Sequence, residues 1–578
     1  MLGNPKLYLM VFGLAAAFPA MVSAARPDAG QLLNEQQRMQ QNRFDSFSRE
    51  GGTHKERAVP KEVVGIKVRV QAIRFSGDVG VVDEDQLQAV VRDALGKDLD
   101  FNGLQNLADK VSDYLQEKGY FLAHAYLPKQ YLTGGVVEIA ILAGRLQNLG
   151  ESVVIQGGLR IPSQRLLWIA EGTAKPGEVV RKGDLERAVL LINDIPGISA
   201  ISNVERGSEA GEVRLVVNAN EGPLFSGELG MDNFGNDYTG SLRGTARFNV
   251  NDPLRFGDQL SLSVAAASDF QMGQVTYGWP VNYRGLRAAI SYGAMSYTIG
   301  KGLADLNSSG SSSILGAGVS YPIIRSRFLN LWGSLNYATK TLEDATFGET
   351  VRNRDINTWI FGLSGDSYDY LGGGGLFNYS AILTSGNLDL SKEPVDFSVD
   401  QSSGAHTNGG YTKLNYNLAR LQRLSNYMSL FGAINGQFAS KNLDTSEKFF
   451  LGGPSGVRAY PIGEAAGDEG WVTNLELRYE LPVLSRWGNV QLIGFFDTGQ
   501  ITLHKEPWTS SILTSSGKNS YTLSGVGIGL NLTKATKYTV RTAWATKIGD
   551  NPGSSLTGLD SDGKNDSSRF WLYGVLWW

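Results

Sequence analysis

Leu242-Arg243-Gly244-Thr245-Ala246-Arg247-Phe248-Asn249-Val250 is the stretch on which the fold of this chain turns. In an extended strand successive side chains point to opposite faces. Leu242, Gly244, Ala246, Phe248 and Val250 then share one face, and Arg243, Thr245, Arg247 and Asn249 share the other. Leu260, Leu262 and Val264 alternate with serines, and Leu475, Leu477, Tyr479 and Leu481 alternate with Glu476, Arg478 and Glu480. Charge at every second position is costly against lipid and cheap in a wet lumen, so the pattern predicts a transmembrane β-barrel. A soluble β-sandwich also alternates, but it would have to bury hundreds of residues in one fold.

The end of the chain repeats the pattern most clearly. Phe570, Leu572, Gly574, Leu576 and Trp578 alternate, and the sequence closes on Trp577-Trp578. A last strand ending in an aromatic residue resembles the assembly signal of bacterial outer-membrane barrels. Leu224 to Trp578 spans 355 residues. With about 9–11 residues per crossing plus turns and longer outer loops, that suits roughly 14–18 strands, in even number.

Composition agrees. Hydrophobic residues make up 42% of the 578, Gly numbers 71 and Cys is absent. Mean hydropathy is −0.17, which excludes a helical membrane protein but not a barrel, whose strands give lipid only alternate residues. The lack of Cys excludes disulfide scaffolds and thiolate zinc sites. The formal charge of −4 and the absence of a long basic run argue against nucleic acid as a partner.

Towards the N-terminus, Lys6, an apolar run from Leu7 to Phe18 and the small residues Val22-Ser23-Ala24-Ala25 have the form of a secretory signal. Residues 1–25 are expected to be removed. Residues 26–48 hold a polar, Gln-rich helix-former with Asp28 as N-cap and Leu32 and Leu33 as its only aliphatic pair. Without a wide apolar stripe, such a helix is either marginal or sits in a wet channel. A linker, 49–63, follows.

Residues 64–145 read as a compact β-α-α-β-β unit. A strand carries Val68, Val70, Ala72 and Ile73. A helix from Asp83 places Leu87, Val90, Val91 and Leu95 on one face before Gly96. A second helix carries Leu104, Leu107, Ala108, Val111 and Leu115 and stops at Gly119, and two strands close the unit. The order recurs over 146–222, with helices around Ser163–Ala170 and Leu185–Ile192 and a last strand through Val213, Leu215 and Val217. Residues 223–578 are the barrel.

The sequence offers no catalytic constellation. His54, His124, His406 and His504 are scattered, without metal-ligand spacing, and no phosphate-binding Gly-rich loop occurs. Asp444-Thr445-Ser446 and Asp497-Thr498-Gly499 look like the paired loops of an aspartic protease, but such a dyad needs two lobes to share its proton. These loops lie 53 positions apart in a run of short strands. No enzyme activity, metal or cofactor is expected.

A long Gly-rich loop, about 449–471, contains Val457-Arg458-Ala459-Tyr460. Arg458 is either a solvated loop arginine or, inside a lumen, a guanidinium that seeks a carboxylate. Val457-Arg458-Ala459-Tyr460 resembles the lid-loop signature of the POTRA-plus-barrel outer-membrane superfamily, with Ala459 where Gly is usual. Phe495, Asp497 and Gly499 resemble the partner motif on a late barrel strand. In that superfamily the loop arginine pairs with the strand aspartate, which implies an Arg458–Asp497 ion pair here. The two α+β units look like POTRA domains, and residues 26–48 like a plug helix. Asp232-Asn233-x-Gly235 with Thr239-Gly240 is similar to the first barrel strand of the same proteins.

Two POTRA-like units point to the two-partner secretion transporters (TpsB type, the haemolysin/haemagglutinin exporters) rather than to a barrel-assembly-type insertase, which usually carries more and is the alternative. The resemblance implies an α+β plus all-β protein with a 16-stranded antiparallel barrel. It would be a monomer in the outer membrane, its N-terminal domains in the periplasm. It implies export without ATP of an unfolded TpsA-type exoprotein, recognised by its N-terminal secretion domain. Outer-membrane lipids, and the barrel-assembly machinery and periplasmic chaperones for its own biogenesis, are the other implied partners.

Overall fold

The computed structural model describes residues 27–41, 67–131, 133–148, 151–209, 211–482 and 486–578. The expected signal (1–25), the linker (49–63), positions 26 and 42–48 of the expected plug segment and positions 64–66 of the first expected unit lie outside these residues.

From Phe225–Asp232 to Ser568–Trp577, sixteen antiparallel strands close into a barrel. The seam joins the first strand to the last, with Glu228 opposite Trp577 and Asp232 opposite Tyr573. The alternation has its physical counterpart in the two faces of the wall. Leu242, Leu475, Leu477 and Phe570 are exposed on the outside, whereas Arg243 and Glu476 are buried within. Four strands, Ser309–Arg325, Leu329–Thr346, Glu349–Asp369 and Gly375–Asp389, run for 15 to 21 residues. A bilayer crossing needs only about 9–11. Along Leu329–Thr346 the outer face is apolar at Leu329, Leu335 and Tyr337 and polar from Thr339 onward. The excess length therefore extends the wall beyond the lipid at the barrel end far from the N-terminal units, here called the distal end.

Helices are numbered from the N-terminus: α1 is Ala29–Gln41, α2 Glu84–Val91, α3 Phe101–Glu117, α4 Ser163–Thr173 and α5 Lys182–Asn193. In the first α+β unit, Asp83 caps α2 and Asp100 caps α3. Both helices pack on a three-stranded sheet in which Ala72–Gly77 runs parallel to Val136–Leu142, with His124–Tyr126 antiparallel on the other side. Leu95 departs from the sequence reading. Helix α2 ends at Val91 and tightens into a 3-10 turn, which swings Leu95 to the surface while Leu87 and Val91 stay buried.

In the second unit α4 and α5 cover a sheet centred on Glu212–Glu221. Its edge strand, Ile198–Arg206, was not read from the sequence. Ile198 and Ala200 face the core but Ile201 is exposed, so the stretch lacks clean alternation. A short helix, Pro394–Ser402, in a distal loop was also missed.

The second unit is fastened to the near-end turns of the barrel. Arg325 holds Asp194 of that unit through two hydrogen bonds, Nε to Oδ2 at 2.9 Å and Nη2 to Oδ1 at 2.6 Å. Arg187 Nη2 donates to the Pro322 carbonyl at 2.8 Å. Gly285, at φ +95°, lets the turn press on Leu191; a Cβ there would lie 2.7 Å from its side chain.

Candidate functional site

The lumen holds two inserted pieces of chain. Helix α1 lies inside the distal half of the barrel, and the loop between Ala439 and Glu469 folds back over the opposite wall. Thirteen residues make a rod about 20 Å long. Such a short helix is marginal in water on its own, so tertiary contacts must hold it.

Those contacts are of two kinds. Ala29, Leu32 and Leu33 are buried in one apolar cluster with the inward side chains of several strands. Burying each leucine contributes about 1.5–3 kcal/mol. The second kind is ionic and sits at the helix N-terminus. Asp28 caps the first turn, accepting from Gln31 N at 2.8 Å through Oδ1. Its Oδ2 accepts from Arg352 Nη1 at 3.0 Å, and Thr445 Oγ1 donates to it at 2.8 Å. Arg354 has no exposed surface and pairs with Asp444 at 2.7 Å, with Asp344, and with Asp28 at 3.4 Å. Further along the helix, Asn34 Nδ2 donates to Lys448 O at 2.7 Å and Arg38 Nη1 to Phe450 O at 2.8 Å. Deeper still, Arg243, bound to Asp232, touches Met39 Sδ at 3.1 Å. The helix thus rests on the loop as well as on the wall. Gly30 permits this closeness, since a Cβ would lie 2.5 Å from Thr445 Oγ1.

The loop has its own anchors. At its base Lys340 and Lys413 hold Glu447 at 2.7 and 2.8 Å. Burial alone would raise the Glu447 carboxyl, but the two lysines outweigh it and bring it down to about 2. Lys448 pairs with Asp468 at 2.6 Å. Glu464 has the opposite balance: burial, reinforced by nearby Asp560, raises it above the usual carboxylate range.

At the loop tip Arg458 Nε and Nη2 donate to Asp497 Oδ2 and Oδ1 at 2.8 and 2.7 Å. Its backbone N–H reaches Oδ2 at 3.1 Å, and Nη1 donates to Glu476 at 2.6 Å. The guanidinium lies 3.5 Å from the centre of the Phe495 ring. Trp571, on the last strand, donates to the Arg458 carbonyl at 2.7 Å. Val457, Ala459 and Tyr460 have no exposed surface. Facing glycines make room. A Cβ on Gly525 would lie 2.7 Å from that of Ala459, and one on Gly499 would lie 2.8 Å from Leu451. Ala459 therefore fits in place of Gly because the wall opposite has no side chain.

Asp444 and Asp497 share no proton as a protease dyad would, since each engages its own guanidinium. The sequence reading missed Arg352, Arg354 and Asp344. The alternation Val351-Arg352-Asn353-Arg354-Asp355 was the available signal, with two cations on one face.

A family model described as "Haemolysin secretion/activation protein ShlB/FhaC/HecB" matches residues 211–532, more than half the chain. The chain belongs to this family. A second model, "POTRA domain, ShlB-type", matches residues 68–144. Among curated proteins, the Heme/hemopexin transporter protein HuxB of Haemophilus influenzae is 28% identical over 568 residues, covering 96% of this chain and 95% of that one. The outer membrane transporter CdiB of Dickeya dadantii is 24% identical over 455 residues, 76% of this chain and 77% of that one. Among solved structures, CdiB from Escherichia coli superposes with a TM-score of 0.76 at 18% identity, over 96% of this chain and 99% of that one. The protein is thus a two-partner secretion transporter of the outer membrane, with POTRA domains in the periplasm. The distal end of the barrel is the cell exterior.

Proposed function

We propose that this ShlB/FhaC/HecB member captures an unfolded TpsA-type exoprotein in the periplasm through its POTRA units and passes it through the lumen without ATP. The chain divides for this task into plug (26–48), linker (49–63), POTRA units (64–145 and 146–222) and barrel (223–578). The observation that carries this reading is the lumen. It holds a short helix fixed by polar and ionic contacts beside two buried leucines, and a loop pinned at Arg458. A permanent wall would be packed throughout; a plug that must leave is held by bonds that water can replace.

The second unit supports the capture step. Its edge strand Ile198–Arg206 pairs with Glu212–Glu221 alone among the described residues, and exposes Ile201. An extended segment can add to such an edge through main-chain hydrogen bonds. Folding of the exoprotein outside, which buries apolar surface and prevents return, supplies the drive. The lid role falls to Val457, Arg458, Ala459 and Tyr460 with Phe495, Asp497 and Gly499.

The test is export of a co-expressed exoprotein by wild type and by Arg458→Ala, with barrel folding checked by heat-modifiable gel migration. A folded Arg458→Ala barrel that leaves the exoprotein in the periplasm is the expected result. Unchanged export would remove Arg458 from the mechanism, and a wild type that exports nothing would remove the export reading itself.

A further inference from the structure

Most of the lumen wall is polar. Asn415 donates to Gln437 at 2.7 Å, and Asn417 pairs with Asn435 across the same two strands. At the distal level apolar side chains enter the wall on two sides, one under the plug and one under the lid loop. Phe270, Tyr297, Leu342, Ile356, Leu388 and Tyr411 point inward there from neighbouring strands, interleaved with Lys340, Asp344 and Arg354, and form one apolar cluster with Ala29, Leu32 and Leu33 of the plug and Leu443 of the inserted loop. The opposite wall at this level is covered by the lid loop, whose own cluster includes Leu451, Val457 and Tyr460.

Three features of this arc go beyond the needs of a plug. First, the helix offers it only an alanine and two leucines, and the inserted loop adds Leu443, fewer apolar groups than the wall supplies. Second, the arc lies above the lipid band, on the polar-faced extension of the strands, where an apolar inner face does nothing for membrane insertion. Third, the space is the right size. An α-helix with side chains is about 10–12 Å across. An extended strand needs about 5 Å in one direction and 10 Å in the other. One extended chain therefore fits where α1 now lies without displacing the lid.

Resting on the export reading above, we propose that this arc is a binding site for apolar side chains of the polypeptide in transit, with Leu32 and Leu33 as its resting occupants. An extended chain presents every second side chain to the wall. Apolar residues settle on the arc as the plug leucines do, and polar ones pass. The passing chain thereby replaces the plug as the seal. The arc also offers an intermediate foothold before the exoprotein folds outside.

The experiment uses full-length protein in planar bilayers, with the plug driven off the arc by Leu32→Asp and Leu33→Asp together. Two short synthetic peptides of equal length serve as probes, one alternating Leu with Ser and one alternating Gln with Ser. Blockades by the Leu-Ser peptide are expected to last roughly tenfold longer or more. Adding Ile356→Ser and Leu388→Ser should abolish that difference. Should that combination fail to fold by gel migration, Tyr411→Thr alone replaces it, with a smaller loss expected. Equal blockade times for the two peptides would overturn the proposal, as would a channel that stays closed with both aspartates in place. Export by wild-type cells is scored separately, so that loss of the export reading is distinguishable from loss of the arc.

Discussion

Replacing Asp28 by Ala removes two things from the start of α1. One is the N-cap, in which Oδ1 accepts from Gln31 N at 2.8 Å. Losing a cap of this kind costs about 1 kcal/mol. The other is the anion that holds Arg352 at 3.0 Å and Thr445 at 2.8 Å, a contact worth about 1.5–3 kcal/mol where a charge takes part in the hydrogen bond. Neither arginine is stranded, because Arg354 keeps Asp344 and Asp444, and Arg352 stays within 3.5 Å of Asp396. The change therefore falls on plug docking rather than on the barrel. A sum of about 2.5–4 kcal/mol, at 1.36 kcal/mol per decade, raises the unplugged fraction roughly 10²–10³-fold. Asp28→Asn separates the two parts, since Asn caps as well as Asp but carries no charge. It should give roughly 10–10²-fold. Single-channel opening probability of the purified proteins reads both changes. A rise below about threefold for Asp28→Ala would refute the reasoning, as would Asp28→Asn matching Asp28→Ala, since the cap would then contribute nothing.

The lid tip offers a compensation test. Gly525→Ala should push the tip away by about 1–3 kcal/mol because its Cβ would meet Ala459 at 2.7 Å, and added Ala459→Gly should restore it; protease cleavage within the loop is the readout. Asp194→Ala should free the second POTRA unit from the barrel turns, a loss of about 1–2 kcal/mol after solvent screening, seen as a broader distance distribution between spin labels on the two parts. Asp400, in a distal loop, is partly buried, which would raise its carboxyl. Hydrogen bonds from Thr407 and Asn408 outweigh burial and hold it below the usual value. Its contribution to loop order is therefore complete above the ordinary Asp range and lost only as pH falls through the depressed value. Proteolysis of the loop in Asp400→Ala should be fast at neutral pH, whereas wild type should match it only in strong acid.

What the sequence made legible follows from period. A barrel wall with lipid on one side and water on the other imposes alternation directly, so Leu242–Val250 and Leu475–Leu481 could be assigned to faces. The helices of the N-terminal units were legible through apolar spacing, with Asp83 marking one start, until the 3-10 turn after Val91 broke the period and turned Leu95 outward. Ile198–Arg206 escaped because an edge strand with a half-covered face alternates poorly. Of the site, the Arg458 and Asp497 motifs were visible as local patterns. The Arg352–Arg354 cluster was not, since Asp28 and Asp444 come from distant parts of the chain and only Asp344, on the paired hairpin strand, is near in sequence. The local alternation puts two cations on one face, but it does not name the carboxylates that closure of the barrel brings to them.

That assembly explains why the closed state joins an apolar arc to an ionic latch. A plug held by its leucines alone would leave its N-terminal N–H groups unsatisfied. An all-ionic one would carry the desolvation cost of every buried charge. Here Asp28 performs both tasks, satisfying the helix end and engaging Arg352, while Leu32 and Leu33 cover the arc one turn further on. Once the latch opens, a helix of thirteen residues loses its tertiary support and its order together. Release is then favoured by chain entropy, and return requires the helix to form again in place. The same polar character that left α1 without a sequence-level amphipathic stripe is thus what allows the lumen to be cleared.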